Sequence, residues 1–173
     1  MLVVLIGYMG SGKSTIGKEL ATVLNYSFLD LDDYISHKEN SSIPELFKTK
    51  GEIYFRKKET HYLKEVISTH DNTIVALGGG TPCYGNNLNV LLKNENVITC
   101  FLKLSIPLLS KRLFKEREKR PLISHLKTEE DLLEFIGKHI FERVQYYNQA
   151  DYTIVTDNKS KQEIIEDILM RLI

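Results

Sequence analysis

Short apolar runs alternate along this chain with stretches of helical spacing, and that alternation predicts most of its elements. Leu2-Val3-Val4-Leu5-Ile6 is a continuous apolar run, long enough for a strand buried on both faces and too short to span a membrane. Further strands are expected at Tyr26 to Leu29, Thr73 to Leu77, Val97 to Leu102 and Tyr152 to Val155. Helices fill the intervals. Ile16, Leu20, Val23 and Leu24 recur with helical period after the first run, and Phe55, Tyr62, Val66 and Ile67 do so between about Gly51 and Thr69. Ser42 with Glu45 and Ser160 with Glu163 read as helix starts, and Thr128 as a further cap. Pro44 and Pro107 fall in first turns, where a missing N–H costs little. The pattern predicts an α/β fold: a five-stranded parallel sheet with helices on both faces, three layers in all.

No linker or internal repeat interrupts this order, so the 173 residues read as one domain, residues 1–173. Lysine and arginine number 23, as do aspartate and glutamate, which removes any global field toward nucleic acid or membrane. Neither is expected as a partner. Cys83 and Cys100 form no metal-ligand spacing, and the first strand begins without a basic or small-residue leader. A reducing, cytoplasmic location and a monomeric state are the expectations.

The first strand runs into Gly7-Tyr8-Met9-Gly10-Ser11-Gly12-Lys13-Ser14-Thr15, the pattern G-x-x-x-x-G-K-[ST] between strand and helix. Glycines at Gly7, Gly10 and Gly12 let the backbone turn its N–H groups inward around phosphate oxygens at a helix N-terminus. Lys13 would reach the β- and γ-phosphates of ATP, and Ser14 would offer a hydroxyl to Mg²⁺. Ligands of open α/β sheets bind at the carboxyl ends of the strands, and four further groups fall near there. Asp30-Leu31-Asp32-Asp33 leaves the second strand with two carboxylates on one side, either to hold Mg²⁺ and accept a hydroxyl's hydrogen bond or to cap a helix. Gly78-Gly79-Gly80 ends the third strand with bare backbone. Arg56 and Arg143 lie on helices, and spacing alone reads them as solvated, Arg56 with Glu52 four residues before it. The basic run Lys111 to Arg120, followed by Pro121, reads from charge alone as a solvated helix face and from mechanism as a lid over triphosphate.

Taken together these motifs resemble the shikimate kinase family, nearly end to end and in order. Beside the P-loop stand Phe28-Leu29-Asp30-Leu31-Asp32, Ile43-Pro44-Glu45-Leu46-Phe47, Gly51-Glu52, Phe55-Arg56 with Glu59, the triple glycine, Arg120-Pro121-Leu122 and Arg143 with Tyr147. Ser36 and the Asn148-Gln149-Ala150 stretch depart from the family's frequent glutamates. The resemblance implies a P-loop kinase fold with a lid at about 112–124, an acceptor-binding helical segment at about 32–60, and transfer of phosphate from ATP to the 3-hydroxyl of shikimate. It further implies that Asp30 holds Mg²⁺ with Ser14, and that Asp32 binds the acceptor hydroxyls and serves as base. Gly10, Ser11, Gly12, Lys13, Ser14 and Thr15 would cradle the nucleotide. Arg56 and Arg143 would clamp the shikimate carboxylate with backbone of Gly78, Gly79 and Gly80. Arg120 would act with Lys13 on the transferring phosphate, while Arg112 and Lys159, in the Asp157 to Ser160 loop, would lie near adenine. A different small-molecule kinase, such as a gluconate kinase, would have less reason to keep Asp32, Arg56, the triple glycine and Arg143 together. A non-catalytic nucleotide-binding module would be expected to lose some of them.

Overall fold

The structure is a computed structural model that describes residues 1–172. Five strands form one parallel sheet: β1 Leu2–Ile6, β2 Ser27–Asp30, β3 Thr73–Ala76, β4 Val97–Lys103 and β5 Tyr152–Val155, in the order β2-β3-β1-β4-β5. Every residue of β1 is buried, as a central strand covered on both faces requires. Its register sets Leu5 beside Ala76 on β3 and beside Cys100 on β4. The chain leaves β1 toward β2 and later crosses to β4, so the direction of winding switches beside β1. At that point a crevice opens outside the strand ends.

Alternation along the strands divides the core in two. Val3, Leu5, Ile74, Cys100 and Leu102 face α1 (Lys13–Leu24) and α7 (Lys161–Leu172). Leu2, Val4, Ile6, Val75 and Phe101 face the other side, covered by α2 (Leu31–Glu39), α3 (Ile43–Thr69), α4 (Asn87–Leu92), α5 (Ile106–Glu116) and α6 (Glu129–Tyr147). The helix starts follow the sequence: Ser42 accepts from the Glu45 N–H, Thr128 from the Asp131 N–H, and Ser160 and Glu163 bond reciprocally.

Three details differ from expectation. Val23 keeps the helical period of α1 yet is 58% exposed, while Ala21 takes the buried place beside Leu20. The helix expected from Gly51 is the second part of a longer one, in which Gly51 (φ 82°, ψ 170°) breaks the path begun at Ile43. Only glycine takes that dihedral without strain, so a strong periodic signal on both sides is cut at one residue. The segment expected as a lid begins inside regular helix: Arg112 to Glu116 belong to α5, a 3₁₀ turn covers Arg117–Lys119, and turns follow from Pro121.

Candidate active site

The loop after β1 is shaped by its glycines. Gly7, Gly10 and Gly12 all have positive φ, at 145°, 78° and 99°. A Cβ on Gly7 would meet the Leu102 carbonyl oxygen at 2.8 Å, and one on Gly10 would meet Leu113 at 2.9 Å. The Lys13 ammonium donates to the carbonyls of Gly7 (2.8 Å) and Tyr8 (2.9 Å), which folds its side chain back across the loop. Loss of hydration lowers Lys13 to about 8, with Asp32 and Asp30 opposing the shift. A cleft of about 350 Å³ lies over the loop, lined among others by Lys13, Thr15, Asp30, Asp32, Arg112 and Arg120.

Asp30 does two things at once. Its Oδ1 accepts from the Asp32 N–H and caps α2, while its Oδ2 accepts from the Ser14 hydroxyl at 2.8 Å. The capping and the site readings of this residue are therefore compatible. Asp32, in the first turn of α2, is half-buried, and burial together with the carboxylates of Asp30 and Glu59 raises it to about 6.

The triple glycine explains why the remaining predicted groups meet. A Cβ on Gly78 would lie 3.1 Å from Asp32 Oδ1, one on Gly79 would lie 3.5 Å from Arg143 Nη1, and one on Gly80 would lie 2.9 Å from Arg56 Nη2. Three successive bare positions thus admit a carboxylate and two guanidinium groups from three different helices. Arg56 stacks on the Tyr84 ring at 3.8 Å and donates to Glu59 at 2.8 Å, closer than its contact with Glu52 at 3.5 Å. Glu59 is 1% exposed and also accepts from the Thr81 hydroxyl at 2.6 Å. Tyr147 donates to the Gly79 carbonyl at 2.6 Å and so pins the glycine loop from α6.

Arg120 forms two hydrogen bonds to Glu116, at 2.8 and 3.2 Å, at the edge of the cleft, and Arg112 reaches the Gly10 carbonyl at 3.3 Å. Lys159 is directed elsewhere: its ammonium pairs with Asp167 on α7 and does not line the cleft. Glu59, Thr81 and Tyr147 were not assigned roles from sequence. Glu59 did carry a signal, since it sits on the buried stripe Phe55, Tyr62, Leu63, Val66, where a lone charge needs a partner.

The family model described as shikimate kinase matches residues 9–173. A shikimate kinase of Flavobacterium johnsoniae is 46% identical over 167 residues, covering 96% of each chain. The chain belongs to the shikimate kinase family. Among solved members of this family, the Bacteroides thetaiotaomicron structure superposes with a TM-score of 0.90 at 32% identity, covering 99% of this chain and 98% of that one. The Acinetobacter baumannii shikimate kinase, solved in complex with shikimate, gives 0.85 at 31% identity, covering 99% and 92%. A deoxyadenosine kinase from M. mycoides, 18% identical with a TM-score of 0.63, shares the fold alone.

Two oxygen donors of the site have the chemistry that Mg²⁺ would need. The Ser14 hydroxyl and the Asp30 carboxylate are hard oxygens in contact, and no cluster of three or more histidine, cysteine, aspartate or glutamate side chains suited to a metal occurs among the described residues. A hydroxyl with a carboxylate would suit Mg²⁺, which keeps several waters and takes phosphate oxygens. No helix of the described residues is long and apolar enough to cross a membrane.

Proposed function

We propose that the chain catalyses transfer of the γ-phosphoryl group of ATP to the 3-hydroxyl of shikimate, giving shikimate 3-phosphate and ADP. The observation that carries this reading is the meeting of Asp32, Arg143 and Arg56 along Gly78, Gly79 and Gly80, beside the P-loop. An anionic polyol calls for that set: guanidinium forks for its carboxylate and a carboxylate acceptor for its hydroxyls.

In the reaction, the bond between the γ-phosphorus and the β,γ-bridging oxygen breaks as one forms to the shikimate oxygen, and the hydroxyl proton is released. Asp32 accepts the hydrogen bond of the attacking hydroxyl, and a carboxylate raised to about 6 is suited to taking that proton near neutral pH. Lys13 leaves its two loop carbonyls for the phosphates, while the N–H groups from Gly10 to Thr15 hold their oxygens. Arg120 exchanges Glu116 for the transferring phosphoryl group as the segment at 112–124 closes over it, and Arg112 lies against the nucleotide. Mg²⁺ held by Ser14 and Asp30 would neutralise charge on the β- and γ-oxygens. The family analogy also assigned Lys159 to the adenine side, which would require it to give up Asp167. Two free cysteines fit a reducing, cytoplasmic location, and the reading takes the chain as a monomer with ATP and shikimate as its small-molecule partners.

The test is ADP release from Mg²⁺ and ATP with shikimate or gluconate as acceptor. Turnover with shikimate and none with gluconate is expected; the reverse, or no turnover with either, would overturn the reading.

A further inference from the structure

A second pocket lies behind the P-loop. It measures about 420 Å³ and lies, open on one side, between the carboxyl end of β4, the start of α5 and one face of α6, with Phe101, Leu104, Ile106, Ile140 and Val144 in its wall. It shares no lining residue with the cleft over Lys13 and Asp32, although both take residues from the same loop: Tyr8 and Ser11 line this pocket, while Met9, Gly10, Gly12 and Lys13 line the cleft. A cavity of this size is in the range of small-ligand sites.

Three observations point to an occupant. The Ser11 hydroxyl is buried, in a residue 3% exposed, and has no hydrogen-bond partner. A buried hydroxyl without a partner is costly, and the residue that carries it lines the pocket. Next, Gly137 stands in the interior of α6, where glycine is unfavourable, and a Cβ there would meet nothing within 4 Å. The effect of this glycine is to leave the pocket open. Lastly, Lys103 is exposed at the rim, forms no ion pair among the described residues, and shares the sheet face of Phe101 by strand alternation.

We infer that this pocket binds a small molecule with a flat or compact apolar body and a single carboxylate, the body against Phe101 and Val144 and the carboxylate at Lys103. Binding there is linked to the nucleotide site, because Tyr8 and Ser11 form the far side of the loop that cradles phosphate. Linkage is reciprocal, so nucleotide must change the affinity for the pocket ligand by the factor with which that ligand changes the affinity for nucleotide.

Phenylacetate is a suitable probe, titrated into the isotope-labelled full chain with shikimate present in saturating excess to block the acceptor site. Saturable amide shifts at Ser11, Gly137 and Val144 are expected, with at least twofold different affinity when ADP is added. Gly137→Leu, which fills the cavity, should abolish the shifts, and Lys103→Met should weaken binding several-fold. Should Gly137→Leu fail to fold, Val144→Phe serves the same purpose from two turns along α6. Shifts seen only when shikimate is left out, or shifts that survive both filling variants, would overturn the site. Equal binding of phenylacetate and phenylacetamide would overturn the carboxylate assignment, and identical affinity with and without ADP would overturn the linkage. None of these readings depends on turnover, so they stand or fall apart from the acceptor assignment.

Discussion

Arg56 is held in one orientation by contacts on two sides. Its guanidinium is fixed by Glu59 at 2.8 Å and by the Tyr84 ring at 3.8 Å, close against Gly80, and its buried Nε has no hydrogen bond, only the 3.5 Å ion contact with Glu52. On the proposed reading, an arriving carboxylate would complete a set of donors already in place. Charged hydrogen bonds contribute about 1.5–3 kcal/mol, so Arg56→Ala or Arg143→Ala should raise the shikimate KM by roughly ten- to a hundredfold, with lysine restoring only part. Steady-state kinetics over a shikimate series checks this. Glu59→Gln should act differently. Breaking a buried pair costs about 3–5 kcal/mol, and partial exposure of Arg56 reduces this to about 2–3 kcal/mol, measurable by urea denaturation, together with a higher shikimate KM. The arginines were legible in the sequence only through the resemblance, since spacing gave Arg56 an innocent partner in Glu52. Burial decides against that reading: Glu59 is inside and Glu52 is not. Asp30 was legible as a helix cap, and the structure adds the hydrogen bond that its other oxygen accepts from Ser14.

Whole elements are positioned by contacts that no local pattern reveals. Glu39, at the end of α2, accepts from Tyr54 and Tyr62 at 2.6 Å each and pairs with Lys58 at 3.0 Å. Tyr54, Lys58 and Tyr62 form one stripe of α3, on the same helical segment as Arg56 and Glu59, so this single carboxylate sets how that segment lies against α2. The two tyrosine hydrogen bonds hold Glu39 down at about 2. Its folded pKa lies below its unfolded value near 4.5, so its contribution is complete above about pH 4.5 and is lost as pH falls toward 2. Glu39→Gln should therefore flatten the acid limb of a pH–stability curve and raise the shikimate KM, leaving the ATP KM nearly unchanged. Sequence periodicity found both flanks of α3 and their caps, yet not this clamp, because its partners are 15 to 23 residues apart. Gly51 was noticed as a motif residue and as a helix start, and its positive φ makes it a break. With nothing within 4 Å of a Cβ there, Gly51→Ala should cost about 1–2 kcal/mol through backbone strain alone, read from the thermal midpoint.

At the scale of the molecule, the crevice beside β1 gathers charges that a fold selected for stability alone would keep apart. Asp32 is raised to about 6 by burial and by Asp30 and Glu59, and Lys13 is lowered to about 8 by lost hydration. Between about pH 4 and 6 the folded chain retains the Asp32 proton that the unfolded chain has released, so stability without ligands falls as pH rises through that window. Between about pH 8 and 10.5 the unfolded chain binds the Lys13 proton that the folded chain has lost, so stability rises with pH there. At pH 7 both groups are charged in the folded state, and both are unfavourably placed until phosphate and hydroxyl arrive. Asp32→Asn should accordingly stabilise the ligand-free chain at pH 7 by about 1–2 kcal/mol in urea titration, while abolishing most turnover. Ligands reverse the balance by mass action: at a hundredfold excess over Kd, each should add about 2.7 kcal/mol to the wild type. Lys13→Met should lose the increment from Mg²⁺ and ATP and keep that from shikimate, whereas Asp32→Asn should show the opposite loss. Equal increments in all three proteins would mean that neither charge faces the ligand assigned to it, and a less stable Asp32→Asn chain would mean that the carboxylate is there to hold the fold.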